Sequence, residues 1–194
     1  MVACAPGYHA HVTPQHAAYL QLLAKWNATV NLTALQVDPP DAAAIERLIE
    51  EPVRAARFVR EADRLAVDLG SGGGSPGLPL KIACPWLQFV LVESRGRKCA
   101  FLREVVRELA LQQVEVVHSR FEDLDARIDL ASRSDLVTCR AIRPDDQLWE
   151  AVMGLLAPAG RVLWFGGAAE IPASFSVEER DGSTVVLTKR TGDA

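Results

Sequence analysis

Long apolar runs are missing from these 194 residues, and so is any pairing pattern among the cysteines. No stretch of about 18 apolar residues occurs, which argues against a membrane-spanning helix. The opening residues also lack the basic segment followed by an apolar one that marks a secretion signal. Cys4, Cys84, Cys99 and Cys139 lie far apart and form no C-x-x-C pair. That spacing fits free thiols in a reducing cytoplasm better than disulfides or zinc, so a cytoplasmic location is expected. Internal repeats and low-complexity tracts are absent. An excess of positive charge is absent too: 21 Lys and Arg face 25 Asp and Glu, a net charge of -4. A general nucleic-acid binder is usually basic, so any such contact here must be local.

What is present is the balance of an ordinary globular protein, 49% apolar and 24% charged, of a length suited to one domain with a real core. Two regions separate along the chain. Residues 1–64 read as a helical extension. Thr13-Pro14 is a helix start, and Tyr19, Leu20, Leu22, Leu23 and Trp26 follow at helical spacing. Asp41 caps a second helix, which Pro52 kinks or restarts. From residue 65 to 194 strand and helix alternate as one compact unit. Strands are expected at Leu65–Leu69, Gln88–Glu93, Val114–His118, Asp135–Thr138 and Arg161–Phe165. The intervening helices are Leu78–Cys84, Arg97–Leu109 and Gln147–Leu156, and Pro158-Ala-Gly160 is a turn. Two last runs, Ser174–Glu179 and Thr184–Lys189, flank Asp181-Gly182, a hairpin signal. The order implies an α/β fold, Rossmann-like, with a mostly parallel sheet, helices on both faces and an antiparallel C-terminal hairpin.

The segment Asp68-Leu-Gly-Ser-Gly-Gly-Gly-Ser-Pro-Gly77 joins the first strand to a helix. Glycines let the backbone approach a ligand closely, and in an open α/β sheet this loop lies where ligands bind. Gly72, Gly74 and Gly77 match G-x-G-x-x-G, so a nicotinamide cofactor has to be weighed. Pro76 removes an amide donor that a pyrophosphate site would use, and Asp68 places a carboxylate beside it. The same carboxylate suits the cationic end of S-adenosylmethionine, directly or through water. Glu93 ends the second strand about 20 residues on, where an acid accepts hydrogen bonds from both ribose hydroxyls of either cofactor class.

Beyond the loop, the chain carries Leu22-Leu-Ala-Lys-Trp-Asn27 with Asn31-Leu-Thr33, Arg97-Lys-Cys-Ala-Phe-Leu-Arg-Glu104, Ser119-Arg-Phe-Glu122, Val137-Thr-Cys-Arg-Ala141 and Leu156-Ala-Pro-Ala-Gly160. On these residues it resembles the RsmG/GidB family, bacterial methyltransferases that act on N7 of one guanine in 16S rRNA. The resemblance runs over about residues 19 to 167. It implies a seven-stranded methyltransferase sheet, S-adenosylmethionine as cofactor, and 16S rRNA or the small ribosomal subunit as partner, met by a monomer. It implies cofactor contacts at Gly70, Ser75, Glu93, Ser94, Arg95, Phe121, Glu122 and Arg140, and the loop adds Asp68, Ser71, Gly72 and Gly74. Phe121 and Glu122 follow the third strand, where an apolar face and a polar neighbour can hold adenine. The chain departs from the family where it has Leu48 for a usual His, Glu51-Pro52 for Asp-Ser, Ser75 for a bulky residue, and Gly166 near a frequent Lys. Those departures touch the RNA side more than the cofactor side.

Guanine N7 carries an in-plane lone pair and no proton, so methyl transfer to it needs alignment and no general base. The lack of a Ser/His/Asp set is therefore expected. Arg140, after the fourth strand, is the candidate for a substrate role through guanine O6 or a phosphate. The alternative is that it supports the cofactor carboxylate or a loop. Arg95, Arg97, Lys98, Arg140 and Arg143 fall at loops or helix starts on the carboxyl side of the sheet. There they form a basic rim, with Arg97, Lys98 and Arg143 as RNA contacts. Arg54, Arg57, Arg60 and Arg64 recur at helical spacing as one basic stripe or a solvated face. His9, His11 and His16 near Cys4 read as a mobile segment, with no metal expected. Trp26, Trp86, Trp149 and Trp164 read as core. Other functional readings are a same-fold methyltransferase with another RNA or small-molecule substrate, a degenerate non-catalytic relative, and a nicotinamide oxidoreductase.

Overall fold

A computed structural model describes residues 13–126, 129–167 and 170–190. Seven strands form one sheet: β1 (Leu65–Leu69), β2 (Gln88–Glu93), β3 (Val114–His118), β4 (Ser134–Arg140), β5 (Leu156–Phe165), β6 (Phe175–Asp181) and β7 (Thr184–Lys189). Their order is β3-β2-β1-β4-β5-β7-β6. All neighbours are parallel except the two pairs that involve β7. The expected sheet and its closing hairpin are therefore present.

The helices are α1 (Pro14–Asn27), α2 (Ala42–Ile45), α3 (Glu51–Ala55), α4 (Gly77–Ala83), α5 (Gly96–Glu108) and α6 (Asp146–Leu155). Thr13 caps α1 and forms a capping box with His16, while the Asp41 side chain caps α2. Alternation along the strands sends Ala66, Phe89, Leu91 and Leu163 to one face, under α1, α4 and α5. It sends Val67, Val90, Val137 and Val162 to the other, under α6. Strand order reverses between β1 and β4, so the loops leaving their carboxyl ends diverge and open a crevice there.

Three departures from the sequence reading have local causes. The strand β5 starts at Leu156, inside what read as helix and turn. Leu156 pairs with Ser134, and pairing resumes at Arg161 with Leu136, so residues 157–160 form an irregular bulge. Gly160 fits there because a Cβ would meet the Ser134 carbonyl at 2.6 Å. β4 also runs longer at both ends than expected, Ser134–Arg140. The arginine stripe does not form, because α3 and the short turn after it end at Phe58. Arg54 pairs with Glu46, Arg57 with Glu179 and Asp181, and Arg60 with Glu178.

Between α2 and α3 lies one π-helical turn, Glu46–Glu50. The Glu51 N–H reaches back to the Glu46 carbonyl, and Pro52 has no N–H to give. The carbonyls of Arg47 and Leu48 are thereby turned toward partners outside the helix. Cys4, His9 and His11 lie outside the described residues. His16 Nδ1 sits 2.8 Å from Thr13 Oγ1. Among the described residues, no helix is long and apolar enough to cross a membrane.

Candidate functional site

The glycine loop is built from beneath and from the side. Ser71 N–H donates to the Val92 carbonyl and Gly74 N–H to the Ser71 carbonyl, which folds residues 71–74 back over the end of β2. Gly74 has φ +93, a conformation that glycine adopts freely. Tyr19, fully buried on α1, donates its hydroxyl to the Gly73 carbonyl at 2.6 Å. Asn27 closes α1 by accepting from Leu32 and Thr33 N–H and donating to the Thr33 carbonyl. Trp26 packs on Phe101 and donates to Glu104. The Lys-Trp-Asn…Asn-Leu-Thr signature thus holds Leu32 to Leu35 against the crevice. Tyr19 was legible only as an apolar residue at helical spacing, because its partner lies 54 residues further on.

Three adjoining hollows follow the carboxyl ends of the strands. The largest, about 440 Å³, is lined by the loop from Gly70 to Gly73, Ser75, Glu93, Lys98, Arg47 and Arg140, with Leu32 to Leu35 as a wall. A second, about 160 Å³, lies beside Ser94, Phe121 and Glu122 and shares Gly70, Glu93 and Ile142 with the first. A third, about 230 Å³, lies beyond β4 against Pro144, Phe165 and Gly166 and shares Arg47, Ala141 and Ile142 with the first.

Glu93 stands where the first two hollows meet, and its carboxylate is fixed by the backbone. Gly72 N–H donates to Oε2 at 2.9 Å, and Arg95 N–H to Oε1 at 2.7 Å. A carboxylate has about four acceptor positions; Ser94 Oγ donates to Oε1 at 3.4 Å, a long contact that a ligand hydroxyl can replace, and Oε2 keeps one position open. Phe121 offers an apolar wall to the second hollow. Glu122 is tied to Arg120 at 2.6 Å, and that hydrogen bond holds its carboxyl below the usual range.

Two residues expected at the ligand lie beneath it. Asp68 has no solvent exposure and lines none of the three hollows. Strand alternation turns it under α4, where a Cβ on Gly77 would come within 2.8 Å of its Oδ2. Thr138 donates to its Oδ1 at 2.5 Å, and Oδ2 has no partner. Burial raises its pKa to about 6, against the Thr138 hydrogen bond. Gly74 likewise turns the loop, against Leu78 and Tyr19, and does not line a hollow.

Arg140 ends β4 with its guanidinium buried and committed. One nitrogen donates to the Arg47 carbonyl and, at 3.2 Å, to Ser75 Oγ. The other donates to Glu51 at 2.6 Å, and the plane lies over Phe165 at 4.7 Å. Ser183 closes the cluster by donating to the far oxygen of Glu51. Ser75 donates in turn to the Leu48 carbonyl at 2.9 Å. Of the two readings of Arg140, the geometry is that of loop support: little of the fork is left for a substrate.

The remaining cations separate. Arg95, Arg97 and Arg143 are exposed around the crevice, while Lys98 is half-buried and lines the largest hollow. Among the described residues, none of the four is ion-paired. The first turn of α5 contains no acid, although a helix N-terminus favours anionic side chains. Arg97 and Lys98 there oppose the helix dipole. Arg47, which the sequence left undistinguished among the arginines, also reaches the crevice.

A family model described as rRNA small subunit methyltransferase G matches residues 13–178. The chain belongs to this family. The ribosomal RNA small subunit methyltransferase G of Stenotrophomonas maltophilia is 41% identical over 179 residues, covering 89% of this chain and 80% of that protein. The one from Xylella fastidiosa is 43% identical over 159 residues, 82% of this chain and 70% of its own. Among solved structures, the mitomycin 7-O-methyltransferase MmcR superposes with a TM-score of 0.60 at 18% identity, over 92% of this chain and 69% of its own. TYW2 from Pyrococcus horikoshii, solved in complex with MeSAdo, gives 0.55 at 13% identity, over 71% of this chain and 59% of its own. At such identities these two speak for the fold, a Rossmann-like methyltransferase sheet.

Proposed function

We propose that the chain transfers the methyl group of S-adenosylmethionine to N7 of a guanine in 16S rRNA. The observation that carries the reading is Glu93, held by two backbone N–H groups at the meeting of two hollows of unequal character. The open position on Oε2 and the one that Ser94 Oγ holds weakly on Oε1 suit the two hydroxyls of a ribose. The small hollow, walled by Phe121 with Ser94 and Glu122 beside it, suits an adenine. The large one, with the Gly70-Ser71-Gly72 backbone, Ser75 and Lys98, suits an amino-acid tail, whose carboxylate Lys98 can meet. When bound, S-adenosylmethionine supplies an electrophilic methyl group on a sulfonium sulfur. The family membership supports the acceptor, as does the local basic rim of Arg95, Arg97 and Arg143 on an otherwise acidic chain.

The residues then have separable tasks. Glu93 and Arg95 fix the nucleoside, and Tyr19 and Asp68 set the loop from below. Arg97 and Arg143 hold the RNA backbone from the rim. No side chain has to move a proton, because N7 has none to lose; alignment of the acceptor can supply roughly 7–11 kcal/mol of the barrier reduction at best. Incubation with labelled S-adenosylmethionine and 16S rRNA from a strain lacking the modification tests this. Label recovered as 7-methylguanosine is expected. Binding of S-adenosylhomocysteine without any label in that RNA would overturn the acceptor, and no binding at all would overturn the enzyme reading.

A further inference from the structure

Among the described residues, Arg47 is the only charged one that lines both the largest hollow and the third one beyond β4. Among the described residues it takes part in no ion pair, and it is exposed. Among the described residues, no acidic side chain lines the third hollow, and Glu93 is the only one lining the first. The chain at Arg47 is held with unusual care. The π-turn frees its carbonyl, and the buried Arg140 guanidinium captures it. The neighbouring Leu48 carbonyl is captured by Ser75. Glu51, the acid that balances Arg140, leaves the same turn and is itself held by Ser183 on the β6–β7 hairpin. Three parts of the fold thus converge on five residues of backbone, and the side chain they present is Arg47.

The arrangement also brings like charges together. Burial lowers the Arg140 pKa, Glu51 opposes that, and the positive charge of Arg47 lowers it further. Two guanidiniums are kept close although one carboxylate serves only the inner one. An anion arriving at the junction of the hollows would relieve that repulsion and find one fork unengaged.

We infer, resting on the methyl-transfer reading, that Arg47 grips a phosphate of the RNA beside the methyl acceptor. Arg140 is then a positioning residue that acts only by fixing Arg47. The third hollow, bounded by Pro144, Phe165 and Gly166, is where the nucleotide bearing that phosphate lies.

The test uses the full chain and deproteinised 16S rRNA. Equilibrium binding is measured against salt for wild type, Arg47→Ala and Arg47→Lys, with calorimetry of S-adenosylhomocysteine alongside. Arg47→Ala is expected to weaken rRNA binding about tenfold and to shrink the log K against log salt slope by about 0.7–0.9, one phosphate contact. Its cofactor-product affinity should stay unchanged, and Arg47→Lys should recover the slope. A purely structural role would leave the slope alone. An unchanged slope in Arg47→Ala, loss of S-adenosylhomocysteine binding in that variant, or a wild type that does not bind the RNA would each overturn the inference. A wild type that binds with the expected slope yet transfers no methyl group defeats the methyl-transfer reading instead, and leaves the salt comparison to decide on Arg47.

Discussion

Asp68 combines complete burial with one hydrogen-bonded oxygen and one orphan, so its charge is the expensive form. Its pKa stands raised from 3.8 to about 6, with burial as the largest cause. The linkage has a definite sign. A carboxyl whose folded pKa is raised binds its proton more tightly in the native state than in the unfolded one. Stability from this group is therefore fully present below about pH 4, falls as pH climbs to about 6, and is flat above. The drop is on the order of 3 kcal/mol for a shift of roughly two units. Asp68→Asn abolishes the titration and keeps an acceptor for Thr138. Denaturant unfolding at several pH values should show Asp68→Asn gaining on wild type between pH 4 and 6.5, then holding a constant difference. Parallel curves across that range would show that the carboxyl is not perturbed.

The clamp between β4 and the α2–α3 turn behaves as a unit. Arg140 and Glu51, 7% and 8% exposed at their side chains, form a pair at 2.6 Å. Removing one partner strands the other as a buried charge, which costs about 3–5 kcal/mol; removing both can be close to neutral. Arg140→Met and Glu51→Met should each destabilise strongly, and the double variant should recover most of the loss. Additive losses in denaturant titrations would mean that the two groups are not coupled. Three of the four departures that the sequence displayed, Leu48, Glu51-Pro52 and Ser75, fall on this clamp; Gly166 lines the third hollow instead. Sequence alone exposed them as differences but not as one structure, because Arg140 and Glu51 are 89 residues apart. Strands were legible where a short continuous apolar run marked a buried strand, as in β1 and β2, and helices where apolar residues kept a period of 3.6, as in α5. Direction was less legible than position. The end of β1 was placed correctly, yet whether Asp68 faced the ligand or α4 depended on one step of alternation. The arginine stripe kept helical spacing past the end of its helix, where spacing no longer defines a face. The bulge in β5 hid behind Pro158-Ala-Gly160, which reads as a turn whether or not the flanking residues pair.

At the scale of the whole molecule, the described part of the N-terminal region, residues 13–64, shares one core with the sheet. Tyr19, Leu23, Ile49 and Val53 belong to the same buried cluster as Phe89, Leu91 and Leu163 of the sheet. The Tyr19 hydroxyl carries that layer directly onto the glycine loop. Loss of the N-terminal helices would uncover part of one face of the sheet and release the loop, so the two regions should unfold together. Two probes sit on opposite faces: Trp26 of α1 against Phe101 of α5, and Trp149 of α6 stacked on Trp164 of β5 at 5.3 Å. Variants that keep only one of these environments as the fluorescent reporter should give coincident thermal transitions, matching far-UV circular dichroism. S-adenosylhomocysteine at about 100 times its Kd adds about 2.7 kcal/mol to the folded state, which for a chain of this size raises Tm by roughly 5–10 °C. Because the loop proposed to hold it is buttressed from α1, the rise should be the same at both probes. A rise confined to the Trp149–Trp164 side, with Trp26 melting earlier and unmoved, would show that the helical layer is an appendage and that the loop stands without it.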